Sequence, residues 1–161
     1  MHQSKHKDMP TIRNLFDKQG LQETLDRIDQ LNANSTPEWG KMNVSQMLAH
    51  LNVTYEMTYE DIHKKPGAFA RFMLKLIVKK PVVNEAPYPR NGRTAPQFII
   101  SNERDFETEK ARLFAYLNKT QELGERHFDQ KESHSFGPLS VKEWNNMFSK
   151  HIDHHLVQFG V

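Results

Sequence analysis

Between residues 144 and 159 the large apolar side chains and two histidines fall on one stripe of a helix. At about 100° per residue, Trp144, Phe148, His151, His155 and Phe159 lie within roughly 80° of one another. His154 sits at the edge of the stripe and Asp153 points away from it. Ser140 followed by Glu143 reads as a capping box that opens the helix, and Gly160 is a natural residue just past its end. Such a stripe has to be covered by other elements. The two imidazoles within it then need partners, because burying an unpartnered polar group is costly.

The rest of the chain supplies more helices to cover it. Leu21, Leu25, Ile28 and Leu31 recur at helical spacing, and NANSTPEWG then breaks the pattern. Asn43 with Gln46 resembles a capping box, with Asn where Ser or Thr is usual, and predicts a helix from there to about His63, ending near Pro66-Gly67. Phe69, Phe72, Met73, Leu76 and Ile77 give a short amphipathic helix over 68–78, with Arg71 and Lys75 among its polar positions. Four prolines between 81 and 97 predict mostly extended loop. Ser101 or Asn102 caps a third long helix through Phe106, Leu113, Phe114 and Leu117, ending by Gly124. No convincing alternating strand is visible. The expected fold is all-α: a four-helix bundle with one additional short helix and a Pro-rich loop.

A length of 161 residues suits one domain over 1–161, with residues 1–9 loose, and needs no structural metal simply to fold. The absence of cysteine excludes disulfides, Cys-ligated zinc, iron–sulfur clusters and a cysteine nucleophile. A formal charge of +2 gives no general reason to expect nucleic acid as a partner. The N-terminal residues lack the apolar core of a signal peptide, and no apolar run approaches the ~20 residues of a membrane span. These points predict a soluble cytoplasmic protein without a membrane or nucleic-acid partner. P-loop, Gly-x-Gly-x-x-Gly and Gly-x-Ser-x-Gly motifs are absent, so nothing supports nucleotide-dependent or serine-hydrolase chemistry.

The unusual component is histidine, with nine residues. His151 and His155 occupy adjacent turns, a spacing that lets two imidazoles converge on one ion. The same pair is also compatible with two core histidines hydrogen-bonded to backbone or side chains. A metal needs a third ligand, and His50 is the best candidate because Met47, Thr54 and Met57 share its side of the second helix. His2 and His6 fall in the loose N-terminus, His63 at a helix end and His127 in a polar loop. His134, ahead of Phe136-Gly137-Pro138, reads as a loop anchor.

Several stretches resemble the DinB/YfiT superfamily of metal-binding four-helix bundles, and more closely an uncharacterised branch of it. They are WGKMNVSQMLAHL at 39–51, RTAPQF and DFETEKARL at 93–98 and 105–113, and FGPLSVKEW with KHIDHHLVQF at 136–144 and 150–159. The superfamily pattern is one His on the second helix and His-x-x-x-His-x-x-Gln on the last. His50, His151, His155 and Gln158 fit it residue by residue, and the similarity spans most of 20–160. The resemblance implies a site of three histidines for zinc or nickel, with positions open to water or substrate and Gln158 supporting the ligands. Three neutral ligands leave the ion a net dication and a strong Lewis acid. Several superfamily members transfer a small cellular thiol. The expected function is therefore a metal-dependent enzyme acting on a small molecule, foremost a transferase using a low-molecular-weight thiol. A metal-dependent hydrolase and a non-catalytic metal-bound binding module are the alternatives. No individual acid or base can be picked out as catalytic.

Other signals are weaker. The basic amphipathic stretch at 63–80 could lie on an acidic membrane or bind nucleic acid, but the plainer expectation is a short helix packed on the bundle with its lysines in water. Tyr55, Tyr59 and Ile62 read as core or as a homodimer contact, and Trp39 and Trp144 as core anchors.

Overall fold

Helix starts follow the side chains that can satisfy free backbone N–H groups. In the computed structural model, which describes residues 11–161, Asp17 accepts from the Gly20 N–H and opens α1, Lys18–Asp29. Asn43 and Gln46 form a reciprocal capping box at the start of α2, Val44–Tyr59. α3 covers Ala68–Ile77 and α4 Lys79–Val83. A 3-10 turn at Pro96–Phe98 precedes α5, Phe106–Phe128. Strands β1, Lys131–Ser133, and β2, Gly137–Leu139, pair antiparallel, and Ser140 with Glu143 caps α6, Val141–Gln158. The chain is thus mainly helical with one small two-stranded sheet, and no helix among the described residues is long and apolar enough to cross a membrane.

The core lies between α1, α2, α5 and α6. α2 is buried without interruption from Met47 to Glu56, which explains its weak amphipathicity: it packs against both α5 and α6. Leu15, Ile28, Leu48, Leu51, Leu113, Leu117, Phe148 and Leu156 meet there. Phe128 is edge-on to Trp144 and Phe148. On the face of α6 opposite the histidines, Asp153 is buried and bonds Arg27 Nη1 at 2.7 Å, tying α1 to α6.

The Pro-rich loop has little regular hydrogen bonding of its own and is held by α6. The buried Lys150 ammonium donates to Pro81 O and Asn84 O, both at 2.7 Å, and lies 4.5 Å from the Tyr88 ring. Asn146 Nδ2 donates to Val83 O at 2.9 Å. These bonds fix residues 81–84 on α6, and further along the loop Tyr88 lies against His154 and Phe98 against His151.

Several expectations need correction. α2 stops at Tyr59, before His63. α5 is capped by Asp105, which accepts from the Thr108 N–H, and not by Ser101 or Asn102. The continuous run of α5 does end at Gly124, as expected: its φ 68° and ψ 178° are not helical, and a short further helical stretch carries the chain across this kink to Phe128. His127 therefore sits on a helix, and α4 and the 3-10 turn occupy the two ends of the predicted extended loop. The hairpin was invisible because three-residue strands are too short for alternation to register. Trp144 is a core anchor, whereas Trp39 is only half-buried and Ile62 is exposed. α3 turns Phe69, Phe72, Leu76 and Ile77 outward, while Leu74 packs on the core and Arg71 pairs with Glu132 of β1. The expectation of a loose segment over 1–9, with His2 and His6, falls on residues outside the described ones.

Candidate metal centre

His50 projects from the middle of α2, and His151 and His155 from successive turns of α6. One ring nitrogen of each lies within 4.8 Å of the others, and among the described residues no further His, Asp or Glu joins the group. Ring centroids are 4.9 Å apart for His50 and His151, 4.6 Å for His50 and His155, and 5.1 Å for His151 and His155. His50 and His155 are buried; His151 keeps partial exposure.

The hydrogen bonds around the rings determine which nitrogens are free. His50 Nδ1 lies 2.8 Å from Phe98 O. A carbonyl only accepts, so Nδ1 carries the proton and Nε2 presents its lone pair. Gln158 Nε2 donates to Trp39 O at 2.6 Å, which orients the amide so that Oε1 faces His155 Nδ1 at 2.7 Å. His155 Nδ1 therefore also donates, and its Nε2 is bare. His151 Nδ1 lies 3.1 Å from Thr54 Oγ1, a hydroxyl able to donate or accept. Its Nε2 is 2.9 Å from His50 Nε2, a separation at which two lone pairs need a proton or a cation between them. With Thr54 donating, His151 Nε2–H donates to His50. With Thr54 accepting, all three Nε2 lone pairs face one small volume.

That donor set fits a divalent ion. Metal-bound histidines generally give their other ring N–H to a carbonyl, carboxylate or water. Phe98 O, Thr54 Oγ1 and Gln158 Oε1 are available in that role. Two nitrogens bound to one tetrahedral zinc ion at ~2.0–2.1 Å stand about 3.3 Å apart, so a 4.8 Å pair would have to close by ~1.5 Å, while the 2.9 Å His50–His151 pair would open slightly. Burial lowers the pKa of His50, partly offset by the Phe98 carbonyl bond. Burial, reinforced by the neighbouring imidazoles, holds His151 well below the ordinary histidine range. Burial pushes His155 down to about 3. All three are neutral near pH 7, the form that ligates.

The surround is aromatic on one side and cationic at its edge. The Phe98 ring lies edge-on to His50 and His151, at 5.3 and 5.9 Å. His154 is outside the trio, edge-on to Trp39 at 5.9 Å and to Tyr88 at 5.7 Å. The Arg90 guanidinium stacks 4.1 Å above the Trp39 ring. Gly40, at φ 87°, passes so close that an added Cβ would stand 2.6 Å from Gln158 Nε2; the Gln158–Trp39 contact needs a glycine there. Two surface clefts of about 390 and 370 Å³ lie elsewhere, beside Arg71 with Glu132 and beside Val83 with Asn146.

The family comparison spans this whole arrangement. The family described as "Protein of unknown function (DUF1569)" matches residues 12–160. This chain belongs to the DUF1569 family. No curated protein and no solved structure matches it. The DUF1569 match contains the three histidines, Gln158, Thr54 and the loop bearing Phe98 and Arg90. Sequence reasoning reached His50, His151, His155 and Gln158, which the structure brings together. It missed the roles of Thr54, Phe98 O and Trp39 O. Thr54 carried a signal, since it lies one turn after His50 on the same face. The two carbonyls carried none, because any residue has one.

Proposed function

We propose that this DUF1569 chain is a single-domain, DinB-like four-helix bundle in which His50, His151 and His155 hold one divalent ion, zinc or nickel, and that it joins a low-molecular-weight thiol to an electrophilic small molecule. The observation that carries the metal reading is the convergence of three imidazoles whose Nδ1 atoms are each engaged by an oxygen. A borderline ion such as zinc or nickel suits three nitrogen ligands. When bound, the ion supplies Lewis acidity, which polarises a carbonyl, acidifies water or stabilises a thiolate.

The chain's own residues do the rest. Gln158 and Phe98 O keep His155 and His50 in the ligating tautomer, and Thr54 lets His151 adopt either one. Phe98 excludes water from one side of the trio. Arg90, fixed over Trp39 beside His154, offers a cation at the rim, which favours a small thiol bearing a carboxylate. No carboxylate belongs to the ligating trio among the described residues, so a general base for hydrolysis would come from outside it. The test loads the protein with zinc or nickel and offers an activated electrophile with and without a panel of small thiols. Metal-dependent, thiol-dependent product is expected. Thiol-independent ester or amide cleavage would instead support a hydrolase, and retained metal with no turnover a binding module.

A further inference from the structure

The amphipathic helix α3 is built the wrong way round for a helix that only packs on a core. Phe69 is 78% exposed, Phe72 57%, Leu76 63% and Ile77 64%. Ile62, just ahead of the helix, is also exposed. The opposite face is the one that holds α3 to the body: Leu74 and the following Val78 pack on the core, and Arg71 pairs with Glu132. The apolar row therefore stands outward by one layer of side chains. An exposed contiguous apolar patch of this kind marks an interaction surface.

Charge says what covers it. Residues 62–84 contain six Lys or Arg and no Asp or Glu; the nearest acidic residues along the chain, Asp61 and Glu85, lie just outside at either end. Glu132 and Glu143 engage Arg71 and Lys79. Lys64, Lys65, Lys75 and Lys80 are exposed and form no ion pair among the described residues. A second copy of the chain would bring the same cations face to face, which opposes self-association through α3. An exposed apolar row on one face of a helix, with lysines at both ends for the headgroups, is the arrangement by which an interfacial helix enters a bilayer to ~5–10 Å. We infer that the outward face of α3, with Lys64, Lys65 and Lys80 around it, docks on an anionic lipid bilayer. This reverses the expectation that residues 63–80 only pack on the body and that the chain has no membrane partner. It is independent of the metal reading, because none of its residues touches the histidines.

Co-sedimentation with vesicles tests it. The full chain should sediment with phosphatidylcholine vesicles containing phosphatidylserine, not with phosphatidylcholine alone, and raised salt should release it. Each of Lys64→Ala, Lys65→Ala and Lys80→Ala should weaken partitioning about fivefold, the equivalent of ~1 kcal/mol per cation near the surface. Phe72→Ser with Leu76→Ser should abolish it while leaving the melting curve unchanged. No sedimentation with the anionic vesicles would overturn the inference. So would equal binding to neutral vesicles, or loss of a dimer in the same Phe72 and Leu76 variant. The lysine variants keep the test decisive if the apolar variant folds poorly.

Discussion

At the scale of single residues the candidate centre is defined by protons as much as by nitrogens. Gln158 bonds His155 through one end of its amide and the Trp39 carbonyl through the other, so it selects the tautomer and the ring orientation together. Gln158→Ala should weaken metal affinity roughly 10–100-fold, the usual consequence of losing such a support. Competition against a chromogenic chelator measures it, and an unchanged affinity would remove Gln158 from the site. The histidine pair on α6 was legible because helical period is a local property. His50 was legible from its side of α2 and from the family pattern. Phe98 O and Thr54 Oγ1, which hold His50 and His151, and Trp39 O, which holds Gln158, are far from their partners in sequence, and only the fold brings them in.

At the scale of elements, α6 organises the molecule through opposite faces. Its aromatic and histidine stripe meets α2 and α5, while Asp153 on the far side takes Arg27 from α1 at 2.7 Å and the Thr11 N–H at 3.2 Å. Removing one member of a nearly buried pair leaves the other uncompensated. Asp153→Ala should therefore cost about 3 kcal/mol, at the low end for buried pairs because Arg27 retains some exposure. Urea unfolding checks this; a change below ~1 kcal/mol would show that the pair is no stronger than a surface bridge. Ser140→Ala, which dismantles the capping box of α6, should cost about 0.5–2 kcal/mol in the same experiment. An unchanged midpoint would show that the box is energetically silent. Both capping boxes were readable in the sequence because their residues sit three apart. The outward turn of α3 was not, because a helical wheel reveals an apolar face but not which way that face points.

At the scale of the whole molecule, the core is extensive enough for the fold to stand without an ion. Leu, Phe and Trp side chains from α1, α2, α5 and α6 form one continuous cluster, and the histidines sit within this frame without supplying it. After chelation the far-UV circular dichroism should keep its helical signal. Re-addition of zinc should raise the melting temperature, because the ion binds only the folded arrangement of the three rings. Collapse of the helical signal on chelation would instead make the ion structural. The most direct test of the central claim is the metal content of purified protein after dialysis against excess zinc, compared among single variants. One equivalent is predicted for the unaltered chain and for His154→Ala, and loss of that equivalent for His50→Ala, His151→Ala and His155→Ala. Retention of a full equivalent in folded His155→Ala, or its loss in folded His154→Ala, would contradict the account.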